Sequence, residues 1–481
     1  MTIKIAVVSV YGLLIFVLGL LAMRKTRSFA DFFLGGGKIG PWMTAFTYGT
    51  AYFSAVLFIG FAGKIGWGFG YSGLWIALGN TLVGVLGVWW LLGYRIKKMS
   101  LEYNVSTMAE YFHKRYDSKF LKLFSAISIF IFFIPYSAAV FIGLSYLFRS
   151  NFNIGYTLAL IFMGVFTAMY MVMGGYKSMT MVDVFFGIIM VAGVLILLSS
   201  TITTGGGLDR LTVDLQQAGA KLTAWIGPPG FWPLFCLVVL TSLAPMGMPQ
   251  LVQKFYAIKD RRSIRIGMVA SSIFALLVCG TAYFTGATAR IFLSPAANPE
   301  AFNNGKPIFD ALMPVLLATV IPTSLSILIL LLILSASMST LAALVLVSSS
   351  AVAKDLYAGF INPKVSDKKL TLLMRILSAF FILLSVVFAY FRPTTIVAIL
   401  GISWGAIGSV FLGPFVWGLL SKRMNRNGAV ASSVIGLAVC IGLYAAGRPS
   451  PEAGTIGMFV SLALNPLVSF LAPVKQKAKE V

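Results

Sequence analysis

Apolar runs of about 20 residues recur from one end of this chain to the other, and each is long enough to cross roughly 30 Å of hydrocarbon. The expected fold is therefore all-α and polytopic, a single integral membrane domain over residues 1–481. Composition agrees: 59% of the residues are hydrophobic and 11% charged, too apolar for a soluble protein of this length. Thirteen spans are expected, at 3–23, 42–64, 71–93, 119–148, 154–174, 181–203, 231–253, 268–290, 319–353, 370–391, 395–420, 427–446 and 455–473. The first runs without a cleavage motif into Arg24 and Lys25, so it is expected to stay as a helix rather than leave as a signal peptide.

The net charge of +23 would suit a nucleic-acid binder. Alternate loops, however, place about 28 of the 37 basic residues on the side that holds Arg24, Arg95, Lys97, Arg261 and Lys422. That asymmetry sets orientation in a bacterial-type cytoplasmic membrane, with the N-terminus outside and the C-terminus inside. The basic excess implies contact with membrane lipids and no nucleic-acid partner. Cys236, Cys279 and Cys440 lie in apolar spans without metal-like spacing, and the only histidine, His113, sits in a basic loop. With no nucleophile–base pair, metal cluster or phosphate loop, an enzyme is not expected, nor is a cofactor.

Two spans are interrupted. The second reads TAFTYGTAYFSAVLF around Gly49, and the seventh reads TSLAPMGMPQLVQKF, where Pro245, Gly247 and Pro249 remove two backbone donors and add a flexible point. Such breaks are tolerated in a membrane only inside protein or beside a cavity. Lying five spans apart, they point to a transporter of two inverted repeats, 42–203 and 231–420, with 427–473 as C-terminal extra helices.

The ninth span carries SASMSTLAALVLVSSS over residues 335–350. Serines in membrane helices serve for close packing and for bonds to their own carbonyls, and Ser348 to Ser350 are read that way. Ser339 and Thr340 are adjacent, with Ala336 three and four residues before them, so all three can address one sector. Carbonyls freed by a broken helix, together with those hydroxyls, suit a small hard cation. Of the 14 acidic residues only Asp183 falls inside an expected span, in its first turn at the cytoplasmic end, where it either interacts with the helix end or takes part in ion release. A proton carrier needs a titratable group in its path, so sodium is the expected coupling ion. One sodium ion crossing about 100 mV releases roughly 2.3 kcal/mol, and a tenfold gradient adds about 1.4 kcal/mol.

Six stretches in order resemble the sodium/solute symporter family: GGGKIGPWMTAFTYGTAYFSA (35–55), STMAEYFHKRY (106–116), GGYKSMTMVDVFFGIIM (174–190), GMPQLVQKFYAIKD (247–260), SASMSTLAALVLVSSSAVAKDLY (335–357) and KRMNRNGAVA (422–431). The resemblance implies a five-plus-five inverted repeat of the leucine-transporter type that works by alternating access. It implies a sodium site from the carbonyls of Thr50, Phe53 and Ala336 and the hydroxyls of Ser339 and Thr340. Ser54, Tyr136 and Thr241 fall where solute-facing residues of the family's proline carriers lie. Lys38 stands where those carriers have an arginine, and Asp183 matches an aspartate proposed to help sodium leave. The chain departs from them at Tyr52, where they have an aspartate, and at Thr241, where they have a tryptophan.

The midplane candidates Tyr48, Thr50, Tyr52, Ser54, Tyr136, Ser137, Thr241, Ser403 and Trp404 include no Asp, Glu, Asn or Gln, which argues against a sugar. A small zwitterion or carboxylate is expected, held among Tyr48, Ser54, Tyr136, Thr241 and Trp404. An amino acid such as proline is the first choice and a monocarboxylate or pantothenate the alternative. A monomer is expected to suffice for transport. A solute sensor without transport is the competing class, disfavoured because no output domain follows the last span.

Overall fold

The computed structural model describes residues 2–25, 29–35 and 39–473. Pro41 opens the first of the two interrupted helices at a position where its missing N–H costs nothing. That helix, Pro41–Tyr52, stops at Phe53, whose φ of −111° and ψ of 135° are extended. The amide of Ala55, freed by the break, donates to Ser337 Oγ at 2.8 Å. Helix resumes with a π-wound turn at Val56–Phe61 and continues through Ala62–Phe69.

Among the described residues ten helices are long and apolar enough to cross a membrane, or eleven when the bent pair Phe231–Gly247 and Pro249–Ala257 is one span. The expected thirteen is not reached by that measure. One reason is that Val56–Glu102 forms one helical run of 47 residues, merging parts of two expected spans; another is that Tyr156–Val172 is short. Within the long run the chain doubles back at Gly70, φ 58°, since the Tyr48 hydroxyl donates to the Gly84 carbonyl at 3.2 Å. Tyr156–Thr204 is likewise kinked at Gly175, φ 60° and ψ −165°. A Cβ there would stand 2.7 Å from the Phe32 carbonyl oxygen, so only glycine fits both the angle and the space.

The seventh expected span is broken as its prolines require. Phe231–Leu243 tightens into Ala244–Gly247, Met248 is extended at φ −80° and ψ 115°, and Pro249–Ala257 departs at 42°. Outside the spans, a two-stranded hairpin pairs Phe302–Asn303 with Lys306–Pro307, and Phe309–Val320 forms a short helix.

Burial separates the helices by role. In the most apolar 18-residue stretch of each helix, 17% of the residues are buried in Thr2–Leu21, which faces lipid, against 89% in Ser326–Ile361 and in Ile396–Leu420. Every residue from Ile329 to Ser350 is buried, so the hydroxyl-rich stretch looks at protein on every side. Several of its serines bond back to their own helix, as expected: Ser349 Oγ donates to Val345 O at 2.6 Å and Ser350 Oγ to Val347 O at 2.9 Å.

Candidate cation and solute sites

Three positions on the hydroxyl-rich helix bond across to the first broken helix: Ser337, which receives the Ala55 amide, and Ser339 and Thr340. Thr340 Oγ1 lies 3.4, 3.2, 3.3 and 3.1 Å from the carbonyl oxygens of Thr50, Ala51, Phe53 and Ala336. Ser339 Oγ donates to Thr50 Oγ1 at 2.9 Å, and Thr50 Oγ1 donates to Phe46 O at 2.7 Å. A hydroxyl has one hydrogen, so it cannot serve four carbonyls at once. The cluster is an all-oxygen, uncharged donor set of the kind that suits a small hard cation. It unites all five positions expected to hold the ion. Ala51 is an addition: with the helix ending at Tyr52 its carbonyl also turns inward, a consequence that depends on where the last turn stops.

Asp183 stands beside this cluster. It is not in the first turn at a cytoplasmic helix end, as expected; the break at Gly175 lies eight residues earlier, and the side chain is fully buried. Its carboxylate faces the Lys254 amine and the hydroxyls of Ser339, Thr47 and Thr50, yet neither oxygen has a hydrogen-bond partner, and nor does Thr47 Oγ1. The other expected gating residue, Lys38, lies outside the described residues.

On the other side of Phe53 is a cavity of about 30 Å³ lined by Tyr52, Phe53, Ser54, Asn80, Tyr136, Thr241, Tyr283, Leu400 and Trp404, among others. Four of the five expected solute residues line it. Tyr48 does not: it is packed behind Tyr52, with ring centroids 6.4 Å apart, against Trp89 and Phe255. Trp404 sets its ring edge-on to Tyr52 and Tyr136 at 6.0 and 5.8 Å. The Tyr52 hydroxyl donates to Thr241 O at 2.7 Å, closing one wall between the two broken helices. The Thr241 hydroxyl bonds back to Leu237 O at 2.9 Å. Trp404 Nε1 is a buried donor without a partner.

Asn80 corrects the expectation that the cavity holds no amide. Its Oδ1 accepts from Ser242 Oγ at 3.3 Å. It is the sole Asn or Gln in the third expected span, and that would have been the signal. Lys254 is also new: it is the single basic side chain that is fully buried among the described residues.

Residues 32–436 match the profile of the Sodium:solute symporter family. The osmoregulated proline transporter OpuE of Bacillus subtilis is 29% identical over 449 residues, covering 92% of this chain and 89% of that protein. The sodium/proline symporter of Escherichia coli is 30% identical over 436 residues, covering 89% and 85%. Among solved structures, a Na+-coupled sialic acid symporter in a substrate-bound outward-open state superposes with a TM-score of 0.84 at 17% identity, covering 98% of both chains. The fold is thus that of the leucine-transporter type, and the protein is a membrane transporter rather than an enzyme. The matched region contains every residue of the oxygen cluster and of the cavity lining. By that match the chain belongs to the sodium:solute symporter family, and its coupling ion is sodium.

Proposed function

We propose that this symporter imports proline together with sodium. The supporting observation is that Phe53 belongs to both sites: its carbonyl faces Thr340, while Phe53 also lines the cavity beside Ser54. A cation drawn to those carbonyls fixes the unwound segment in the shape the solute meets, and a bound solute does the same for the cation. Coupling of this kind is reciprocal. The carbonyls of Thr50, Phe53 and Ala336, with the hydroxyls of Ser339 and Thr340, hold sodium, and Asp183 receives it on the way to the cytoplasm.

At about 30 Å³ the cavity holds little more than water, so proline enters only as it widens. Its walls suit that solute: Tyr52, Phe53, Tyr136 and Trp404 offer aromatic faces to a compact apolar ring, and Trp404 Nε1 offers a donor for the carboxylate. Two of the similar proteins are proline carriers. Residues 42–203 and 231–420 act as the inverted repeats, with the N-terminus outside and the C-terminus in the cytoplasm. Both sites are built from one chain, so a monomer suffices.

The test is uptake into proteoliposomes. Labelled proline should accumulate under an inward sodium gradient, and unlabelled proline should compete far better than pantothenate or a monocarboxylate. Accumulation driven equally well by a pH gradient without sodium would refute the coupling, and selective competition by pantothenate would replace the solute.

A further inference from the structure

The Lys254 side chain is 1% exposed, in the half-helix that follows the second break. Its amine donates to Met179 Sδ at 3.6 Å and sits 5.0 Å above the ring of Tyr176. Tyr176, Met179 and Asp183 follow one another at three- and four-residue spacing on one helix, so they share a face. Lys254 lies along that face, held by a sulfur and a ring one turn short of a carboxylate that has no hydrogen bond. Beside that carboxylate are Thr50 and Ser339 of the oxygen cluster. One turn before Lys254, the buried Gln250 amide also has no partner at either atom.

A buried charge must be balanced or it is very costly. A sodium ion beside Asp183 balances the carboxylate when the carrier is loaded. Once the ion has left, the cation that acts on the carboxylate among the described residues is Lys254, and a flexible four-carbon stem can carry the amine the remaining turn. We infer that Lys254 is a positioning residue that replaces sodium as the counter-charge of Asp183 in the empty carrier, so that the empty carrier returns without an unbalanced buried charge. When sodium re-enters, it repels the amine, which withdraws to Met179 and Tyr176.

This inference rests on the sodium site proposed above, and the experiment separates the two. Net uptake requires the empty carrier to return; exchange of labelled for unlabelled solute, with saturating sodium on both sides, does not. Replacing Lys254→Met is expected to lower sodium-driven net uptake at least about tenfold and to lower exchange far less, whereas Lys254→Arg keeps both. Adding Asp183→Asn to Lys254→Met removes both charges and should restore part of the net uptake. If Lys254→Met does not fold, the same ratio is read from Lys254→Gln and from the double variant. Equal losses of uptake and exchange, or unchanged net uptake, would overturn the inference. Failure of the sodium site itself would show differently, as sodium-independent exchange in the unaltered protein.

Discussion

The Ser339 hydroxyl donates to the Thr50 hydroxyl at 2.9 Å, joining residues 289 positions apart. The contact fastens the last turn of a helix that stops in mid-membrane to a helix buried on all sides. Breaking the first helix exposes carbonyls; the second helix supplies the hydroxyls that keep them from being orphaned. Neither element is stable in hydrocarbon without the other, and the place where they complete each other is the site proposed for the cation.

Thr340→Ala tests that arrangement. The substitution removes the one hydroxyl that faces four carbonyls, a loss of about 1–3 kcal/mol for a buried polar contact. At about 1.4 kcal/mol per decade, the sodium concentration for half-maximal uptake should rise roughly tenfold or more, while Thr340→Ser, which keeps the oxygen, should stay within about threefold. The reading is uptake against sodium at saturating solute. An unchanged curve for the alanine variant would remove Thr340 from the site.

Trp404→Phe addresses the solute side. The ring stays edge-on to Tyr52 and Tyr136, but the buried Nε1 donor is lost. One hydrogen bond to a charged group contributes about 1.5–3 kcal/mol, so half-saturation for proline should rise by about tenfold or more, with the sodium curve at saturating proline little changed. A variant with normal proline affinity would show that the carboxylate is held elsewhere.

The breaks were legible in the sequence because proline and glycine act on the backbone directly, and Ser339 and Thr340 were legible because hydroxyls are rare in apolar runs. Lys254 was not. A reading by apolar runs ends the seventh span at residue 253, since it counts a lysine as polar and does not see the Tyr176 ring and Met179 sulfur that receive it. Asp183 was placed at a helix end for a similar reason: Lys177 and Ser178 are polar, so a reading by apolar runs starts the sixth span at residue 181, whereas helix resumes directly after the kink at Gly175. Asn80 and Tyr283 were missed because nothing local marks which face of an unbroken helix turns toward a cavity made by others.

At one end of the bundle, Glu110 ties a loop helix to the extension of the hydroxyl-rich helix. Its Oε1 is 3.2 Å from Lys354 Nζ, and its Oε2 accepts from Ser106 N and Oγ at 3.0 and 3.1 Å. Burial pushes the carboxyl up, but the Lys354 ammonium and the Ser106 amide outweigh it and hold the group below its usual range. A carboxyl with a depressed folded value contributes stability that is complete above its unfolded value, about 4.3, and is lost as pH falls through the folded one. Glu110→Gln should therefore cost about 1–3 kcal/mol at neutral pH, seen as a lower melting temperature in detergent. The gap from the unaltered protein should close as pH is lowered past the carboxylate range, and a gap that is constant with pH would mean the carboxylate charge is not what holds the contact.

The second half of the first broken helix, Ala62–Phe69, meets Arg261–Ala287 with no side chain between them. A Cβ on Gly66 would stand 2.1 Å from the carbonyl carbon of Gly286, and one on Gly286 would stand 2.1 Å from the Ala62 carbonyl oxygen. Both obstructions are backbone, so neither yields by a rotamer change, and the helices must separate to admit a methyl group. Small residues at such crossings let membrane helices approach closely, and overpacking typically costs about 1–3 kcal/mol. Gly66→Ala and Gly286→Ala should each lower the melting temperature. Because they press on the same crossing, the double variant should cost less than the sum of the two. Thermal unfolding of the purified single and double variants measures this, and fully additive losses would mean that the two methyl groups are accommodated independently, contrary to a shared backbone contact.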